Sequence, residues 1–257
     1  MQAYQSLTVL ESSEDACEIM VEKDDCSIIL EKALMEKRCS LPIDEAQRIC
    51  NLHHIPTPKS SVVLNADEAV EKANEIGYPV VLKIISPQIT HKTDIGGVIL
   101  NVGTEKELKI EYEKLLTEVR SREPSVTISG VMVEEMMPPS VEVVVGGIRD
   151  KQFGPTVMFG IGGILTEVYD DVAFRVAPVD RIDALNMIHG LRGSIMLEGV
   201  RGQPPPDMDA IVRVLTGVSA LMVQHDAISQ LDLNPVIAYP NGACAVDSRI
   251  ILTQGGA

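Results

Sequence analysis

Tryptophan is absent from this 257-residue chain, and only three phenylalanines occur. A core must therefore be assembled from Val, Ile, Leu and Met, which a hydrophobic content of 45% supplies. Positive charge is also scarce: 22 Lys and Arg stand against 37 Asp and Glu, a formal net charge of −15. That balance repels phosphodiester backbones and anionic lipid, so no nucleic acid and no membrane is expected as a partner. No apolar run approaches the ~18 residues of a membrane helix, and no basic stretch followed by an apolar one opens the chain. The reading is a soluble, unprocessed, cytoplasmic protein. Five cysteines (Cys17, Cys26, Cys39, Cys50, Cys244) contain no CxxC pair and are odd in number. Free thiols are expected rather than disulfides or a zinc site. A dinucleotide fingerprint and a Walker A lysine are lacking as well. The length fits one large domain or two closely packed ones.

What is present is ordered punctuation. Residues 1–27 are acidic (Glu11, Glu14, Asp15, Glu22, Asp24, Asp25) and weakly periodic, which reads as a partly disordered or peripheral extension. From Ile28 the pattern improves. Pro42, Asp44 and Glu45 open a helix whose buried face carries Ile43, Ala46, Ile49 and Cys50. Asn65 with Glu68, and Thr104 with Glu107, form capping pairs at the starts of two more, and Gly77 stops the first of these. Further helices are predicted around residues 180–189 and 207–224.

The chain is organised around residues 78–102, YPVVLKIISPQITHKTDIGGVILNV. Two apolar β-branched runs flank a loop holding His91, Lys92, Asp94 and Gly96-Gly97. This is how a rigid scaffold presents a reactive loop. Lys83 lies inside the first strand, where a charge is costly unless it meets an anion such as phosphate. Read alone, Lys83 fits either that role or an edge lysine that snorkels, and His91 fits a solvated loop histidine. Strands are predicted over 131–136 and 141–148, separated by Pro138-Pro139. Glu134, Glu135 and Glu142 flank this break, on a solvated face or pointing somewhere specific. The glycines Gly160, Gly162 and Gly163 follow a strand, where backbone N–H groups can approach phosphate, although the motif is weak by itself.

Near the C-terminus, strand-like segments 228–238 and 243–252 join through Pro240-Asn241-Gly242, a hairpin signal. With Asn241-Gly242 as the turn, Asn234 lies opposite Arg249 and Asp247 opposite Val236. Asp232, Asn234, Asp247 and Arg249 then share one face. Asn234 and Asp247 become diagonal neighbours, two oxygen donors able to hold one hard cation such as Mg2+. A polar outer face of an ordinary hairpin is the alternative. A register shift of two residues keeps the shared face; a slip of one destroys it.

Several segments in order, VVLKIISPQITHKTDIGGV, VMVEEMM, EVVVGGIRDKQFGP, FGIGGILTEVYDDVAFRVAP and DLNPV followed by VDSR, resemble the beta subunits of ADP-forming acetyl-CoA synthetases. These are relatives of succinyl-CoA synthetase built on the ATP-grasp fold. The resemblance covers about residue 28 to the C-terminus. It implies an α+β (α/β) architecture whose two subdomains, residues 59–133 and residues 28–58 with 134–257, clasp a nucleotide. By the same likeness Lys83 contacts ATP phosphates, and Glu134, Glu135 and Met136 form the linker that bonds adenine and ribose. Glu142, Gly162, Gly163 and Arg249 are expected at the nucleotide too. Asn234 and Asp247 match magnesium ligands, His91 a histidine that relays phosphate to ADP, and Asp232 the acid that orients it. The cofactors implied are Mg2+ with ATP or ADP as substrate. CoA binding belongs to a Rossmann-like part with no counterpart motif here, which implies a CoA-binding alpha subunit in an α2β2 assembly. The competing readings are a carboxylate ligase acting through an acyl phosphate, and a non-catalytic nucleotide-binding module.

Overall fold

In a computed structural model of the protein, residues 25–89, 95–162, 171–199 and 204–253 are described. Helices α1 (Asp25–Met35) and α2 (Ile43–Leu52) lead into β1 (Ser60–Val63), α3 (Ala66–Ile76), β2 (Val80–Ile85), β3 (Val98–Val102), α4 (Glu105–Arg122) and β4 (Gly130–Glu135). Then follow β5 (Val141–Asp150), β6 (Gly154–Ile161), β7 (Val172–Val176), α5 (Arg181–His189), a 3-10 turn (Arg192–Glu198) and α6 (Met208–Gln224). The last strands are β8 (Ile228–Tyr239), β9 (Gly242–Ala245) and β10 (Ser248–Leu252).

Two antiparallel sheets result. The smaller has the order β1-β4-β2-β3, and α3 and α4 pack against it. The larger has the order β10-β8-β5-β6-β7, with β9 on β8, and is covered chiefly by α6 and α5. Each has its own core. Val70, Leu82, Ile84, Leu108 and Leu115 fill one, while Ile49, Phe159, Met187, Ile211 and Leu215 fill the other. As the composition required, aliphatic side chains and methionine do most of this work, and Phe159 is the one phenylalanine buried in the core.

The helix starts follow their caps. Asn65 accepts from the Glu68 N–H at the head of α3, and Thr104 from the Glu107 N–H at the head of α4. Gly77, at φ 102°, ends α3 in a conformation that disfavours any side chain.

Helix α2 is the joint between the sheets. Ala46, Ile49 and Cys50 enter the larger core, whereas Ile43 forms a separate cluster with Ile85 of β2 and Met132 of β4. Its spacing gives it two apolar faces, one for each sheet.

Three expectations need correction. Helix α1 begins at Asp25, before the anticipated boundary at residue 28, and Cys26 is only 2% exposed. Cys26, Ile29, Leu30 and Ala33 make a helical core stripe that the local acidity disguised. Residues 243–252 are two strands, broken at Val246-Asp247. The β8–β9 turn is Pro240-Asn241, because Tyr239 pairs with Gly242 and Ala238 with Ala243. Proline fixes a negative φ at the first turn position, which excludes the doubly positive-φ turn that Asn-Gly favours.

Candidate active site

Moving the turn by one residue slides the strand register by two, and the consequences concentrate at the cleft. Arg249 pairs with Asp232, and Ser248 with Leu233. Val236 pairs with Ala245 on the same count, so Asn234 comes directly opposite Asp247 rather than diagonal to it. The Asn234 N–H donates to the Asp247 carbonyl at 3.3 Å. The expected shared face survives, and all four side chains line one cleft of about 490 Å³. The cleft is also lined by Ile85, Ser86, Pro87 and Ile89, the run that leaves β2, and by residues 38–43, of which Cys39 and Leu41 bond to the edge of β10.

The electrostatics of this wall are uneven. Burial pushes the Asp232 carboxyl up, the neighbouring Asp247 carboxylate adds to this, and Arg249 opposes it. Oδ1 of Asp247 accepts from the Ser248 N–H at 3.1 Å, which fixes the carboxylate. The Arg249 Nε is buried without a protein hydrogen-bond partner, while the residue as a whole is half-buried at the cleft. Asn234 and Asp247 offer hard oxygen donors from directly opposed positions, with room for water and phosphate oxygens. This set suits Mg2+, which takes few protein ligands.

Lys83 is not an edge lysine. It is 6% exposed on β2, and its Nζ donates to Glu134 Oε1 at 2.5 Å and to the Val246 carbonyl at 2.9 Å. One ammonium thus joins the smaller sheet to the residue preceding Asp247 in the larger. Glu134 is completely buried and also accepts from Gln47 Nε2 at 2.7 Å. The Ser60 hydroxyl donates to Gln47 Oε1 at 2.7 Å. The result is a continuous polar chain, buried at Gln47, Glu134 and Lys83 and half-buried at its ends, from β1 through α2 and β4 to β2 and the β9–β10 break. Burial raises the Glu134 pKa, while Lys83 and Gln47 pull it down.

The linker 134–136 therefore has two characters. The side chain of Glu134 faces Lys83, whereas Glu135 and Met136 are half-buried, their N–H groups on the carbonyls of Lys59 and Pro79. Sequence reasoning treated the three alike and missed Gln47, a polar residue hidden in an apolar helical stripe. Its signal was present: position 47 falls on the buried face with Ile43, Ala46 and Cys50. Gly162 N–H donates to the Glu142 carbonyl at 2.8 Å, and a Cβ on Gly162 would lie 2.9 Å from that oxygen, so glycine is needed there. Glu142 itself is exposed on β5. His91 and Gly163 lie outside the described residues.

A nucleotide-sized cleft between two antiparallel sheets, a buried lysine on the smaller and opposed oxygen donors on the larger are features of ATP-grasp proteins. The model of the ATP-grasp domain matches residues 32–252. The beta subunit of acetate–CoA ligase [ADP-forming] I from Pyrococcus furiosus is 44% identical over 224 residues, 87% of this chain and 96% of that one. Acetate–CoA ligase [ADP-forming] I of Archaeoglobus fulgidus is 39% identical over 98% of this chain, which spans only 36% of that longer protein. A structure of acetyl-coenzyme A synthetase 1 from Ca. Korarchaeum cryptofilum, in complex with coenzyme A and Ca-AMPCP, superimposes with a TM-score of 0.86. It is 43% identical, and the match covers 88% of this chain and 99% of that chain. Another structure of the same synthetase, TM-score 0.79 and 41% identical over 89% of this chain, holds Mg-AMPPCP with its phosphohistidine segment pointing towards the nucleotide site. The chain belongs to the ATP-grasp family and, within it, to the beta subunits of ADP-forming acetate–CoA ligases.

Proposed function

We propose that this chain is the nucleotide-binding subunit of an ADP-forming acyl-CoA synthetase. With a CoA-binding alpha subunit it would catalyse acyl-CoA + ADP + phosphate ⇌ carboxylic acid + CoA + ATP. The observation that carries this reading is the Lys83 bridge, which sets a buried cation against the carbonyl next to Asp247 where the two sheets meet. We read those sheets as two subdomains, residues 59–133 and residues 28–58 with 134–257, that close on the nucleotide.

Phosphoryl transfer asks a protein for positioning and charge neutralisation more than for covalent chemistry. Lys83 would meet the phosphates, and Glu135 and Met136 would line the adenine and ribose. Glu142, Gly162, Gly163 and Arg249 would complete the nucleotide's surroundings. Asn234 and Asp247 would hold Mg2+, whose chemistry is to neutralise and orient phosphate oxygens. His91 would carry the phosphoryl group on an unprotonated ring nitrogen, available near neutral pH. Asp232 would orient that ring, a task its raised pKa allows once the cleft is above the acid range.

The partner is supported by the Archaeoglobus relative, in which a chain like this one fills about a third of a longer polypeptide. An α2β2 heterotetramer in the cytoplasm is the assembly we infer. The test is incubation of the purified chain with γ-labelled ATP and Mg2+, with and without a CoA-binding subunit. Acid-labile label that requires the partner and disappears in His91→Ala supports the relay. Label indifferent to His91, or acyl product made by this chain alone, would replace it with a ligase acting through an acyl phosphate.

A further inference from the structure

Three helix termini converge at a place that shares no lining residue with the cleft. Cys26 lies in the first turn of α1, His53 caps the C-terminus of α2, and His225 caps the C-terminus of α6. Cys26 and His225 are buried, at 2% and 7% exposure, and His53 is half-buried. One donor atom from each lies within 4.8 Å of the other two. His53 Nε2 and His225 Nε2 are 3.2 Å apart, with their rings nearly perpendicular at 88°.

These spacings are close to those of a coordination sphere. Zinc–nitrogen bonds of about 2.0–2.1 Å at tetrahedral angles put two ring nitrogens about 3.3 Å apart. A zinc–sulfur bond of about 2.3 Å puts sulfur about 3.6 Å from each nitrogen, so the thiol needs to move in by no more than about 1 Å. A histidine–histidine hydrogen bond would explain the 3.2 Å separation by itself. It would not explain why a cysteine closes the triangle.

The scaffold holds the two histidines firmly. A Cβ at Gly217 of α6 would meet the His53 carbonyl at 2.9 Å, so glycine is what lets α6 ride against the end of α2. Arg149 of β5 donates to the Met222 and His225 carbonyls and ties down the last turn of α6. Both α2 and α6 aim their C-terminal, partially negative ends at the cluster, which favours a cation there. A cavity of about 610 Å³, lined in part by Cys26, His53, His54 and Thr216, supplies an entry path and space for a water ligand.

We propose that Cys26, His53 and His225 form a binding site for one Zn2+ ion, with the fourth position open to this cavity. Binding would displace the thiol proton to solvent, leaving thiolate sulfur and two neutral imidazoles as ligands. The site would fasten α1 to the ends of α2 and α6. Its ligands come from three elements, with the two histidines 172 positions apart, so no local spacing motif announces it.

The test uses the full chain, stripped with a chelator and titrated with Co2+ as a spectroscopic probe. The expected result is one Co2+ per chain with a thiolate-to-cobalt charge-transfer band, bleached by one equivalent of Zn2+. Thermal unfolding should shift upward with Zn2+. The double variant Cys17→Ser/Cys39→Ser should keep the band, and Cys26→Ser should lose it. His53→Gln, which retains a polar side chain at the helix end, should weaken binding at least tenfold. Absence of the band in the unaltered protein, or its persistence in Cys26→Ser, overturns the proposal whether or not any variant folds poorly.

Discussion

Replacing Lys83 by Met should destabilise the fold by about 3–4 kcal/mol at pH 7, for a reason that can be separated from lost packing. Methionine is close to lysine in length and leaves little cavity. What it removes is the counter-charge of a fully buried carboxylate, Glu134. Breaking a buried ion pair in this way typically costs about 3–5 kcal/mol. The loss has a second limit, because Glu134 can escape by taking up a proton. Protonating a carboxyl of ordinary pKa 4.5 at pH 7 costs about 3.4 kcal/mol, at 1.36 kcal/mol per pH unit. The two routes agree. In the variant, folding then carries a proton that the unfolded chain lacks, so stability should rise as pH falls through the window above 4.5, up to the raised folded value. Between pH 7 and pH 5.5 about 2 kcal/mol should return. Urea unfolding followed by circular dichroism at both pH values measures this. The double variant Lys83→Met/Glu134→Gln should regain most of the stability at pH 7 while remaining inactive. A Lys83→Met protein within about 0.5 kcal/mol of the parent, with no steeper pH dependence, would refute the argument.

Other outcomes follow from the same geometry. Asp247→Ala should raise the Mg2+ concentration needed for half-maximal phosphorylation at least tenfold, read by magnesium titration, because it removes one of two opposed oxygen donors. Arg249→Gln should move the acid limb of the pH–rate profile to higher pH, since Arg249 is what pulls the raised Asp232 pKa down; Asp232→Asn should remove that limb's sensitivity to Arg249. Gly162→Ala should cost about 1–3 kcal/mol in thermal or urea unfolding, because its Cβ would strike the Glu142 backbone.

How much of this could be read from the sequence depended on how local the signal was. Caps at Asn65 and Thr104 act over three residues and were legible, as were the helices they begin. The hairpin shows a different kind of success. Its turn was misplaced by one residue because Asn-Gly outweighed the preceding proline, yet the shared face of Asp232, Asn234, Asp247 and Arg249 survived. Side chains alternate with a period of two, and the error in register was also two. Lys83 was legible as a charge in an apolar strand, but not as a link in a polar chain, since the other members, Ser60, Gln47, Glu134 and Val246, come from four other segments.

That chain gives the two sheets a means of sensing each other. Apolar contact through Ile43, Ile85 and Met132 is non-directional and would tolerate sliding of one layer over the other. The Lys83 bond to the Val246 carbonyl is directional and falls beside a donor of the candidate metal site. A phosphate arriving at Lys83 would compete with Glu134 and that carbonyl for one ammonium. Binding would then loosen the bond that ties the smaller sheet to the β9–β10 break, beside Asp247 and Asn234, the residues that would hold Mg2+. Charge that anchors the sheets in the free protein would thus be transferred to the nucleotide, so that nucleotide occupancy and the relative position of the layers become one equilibrium.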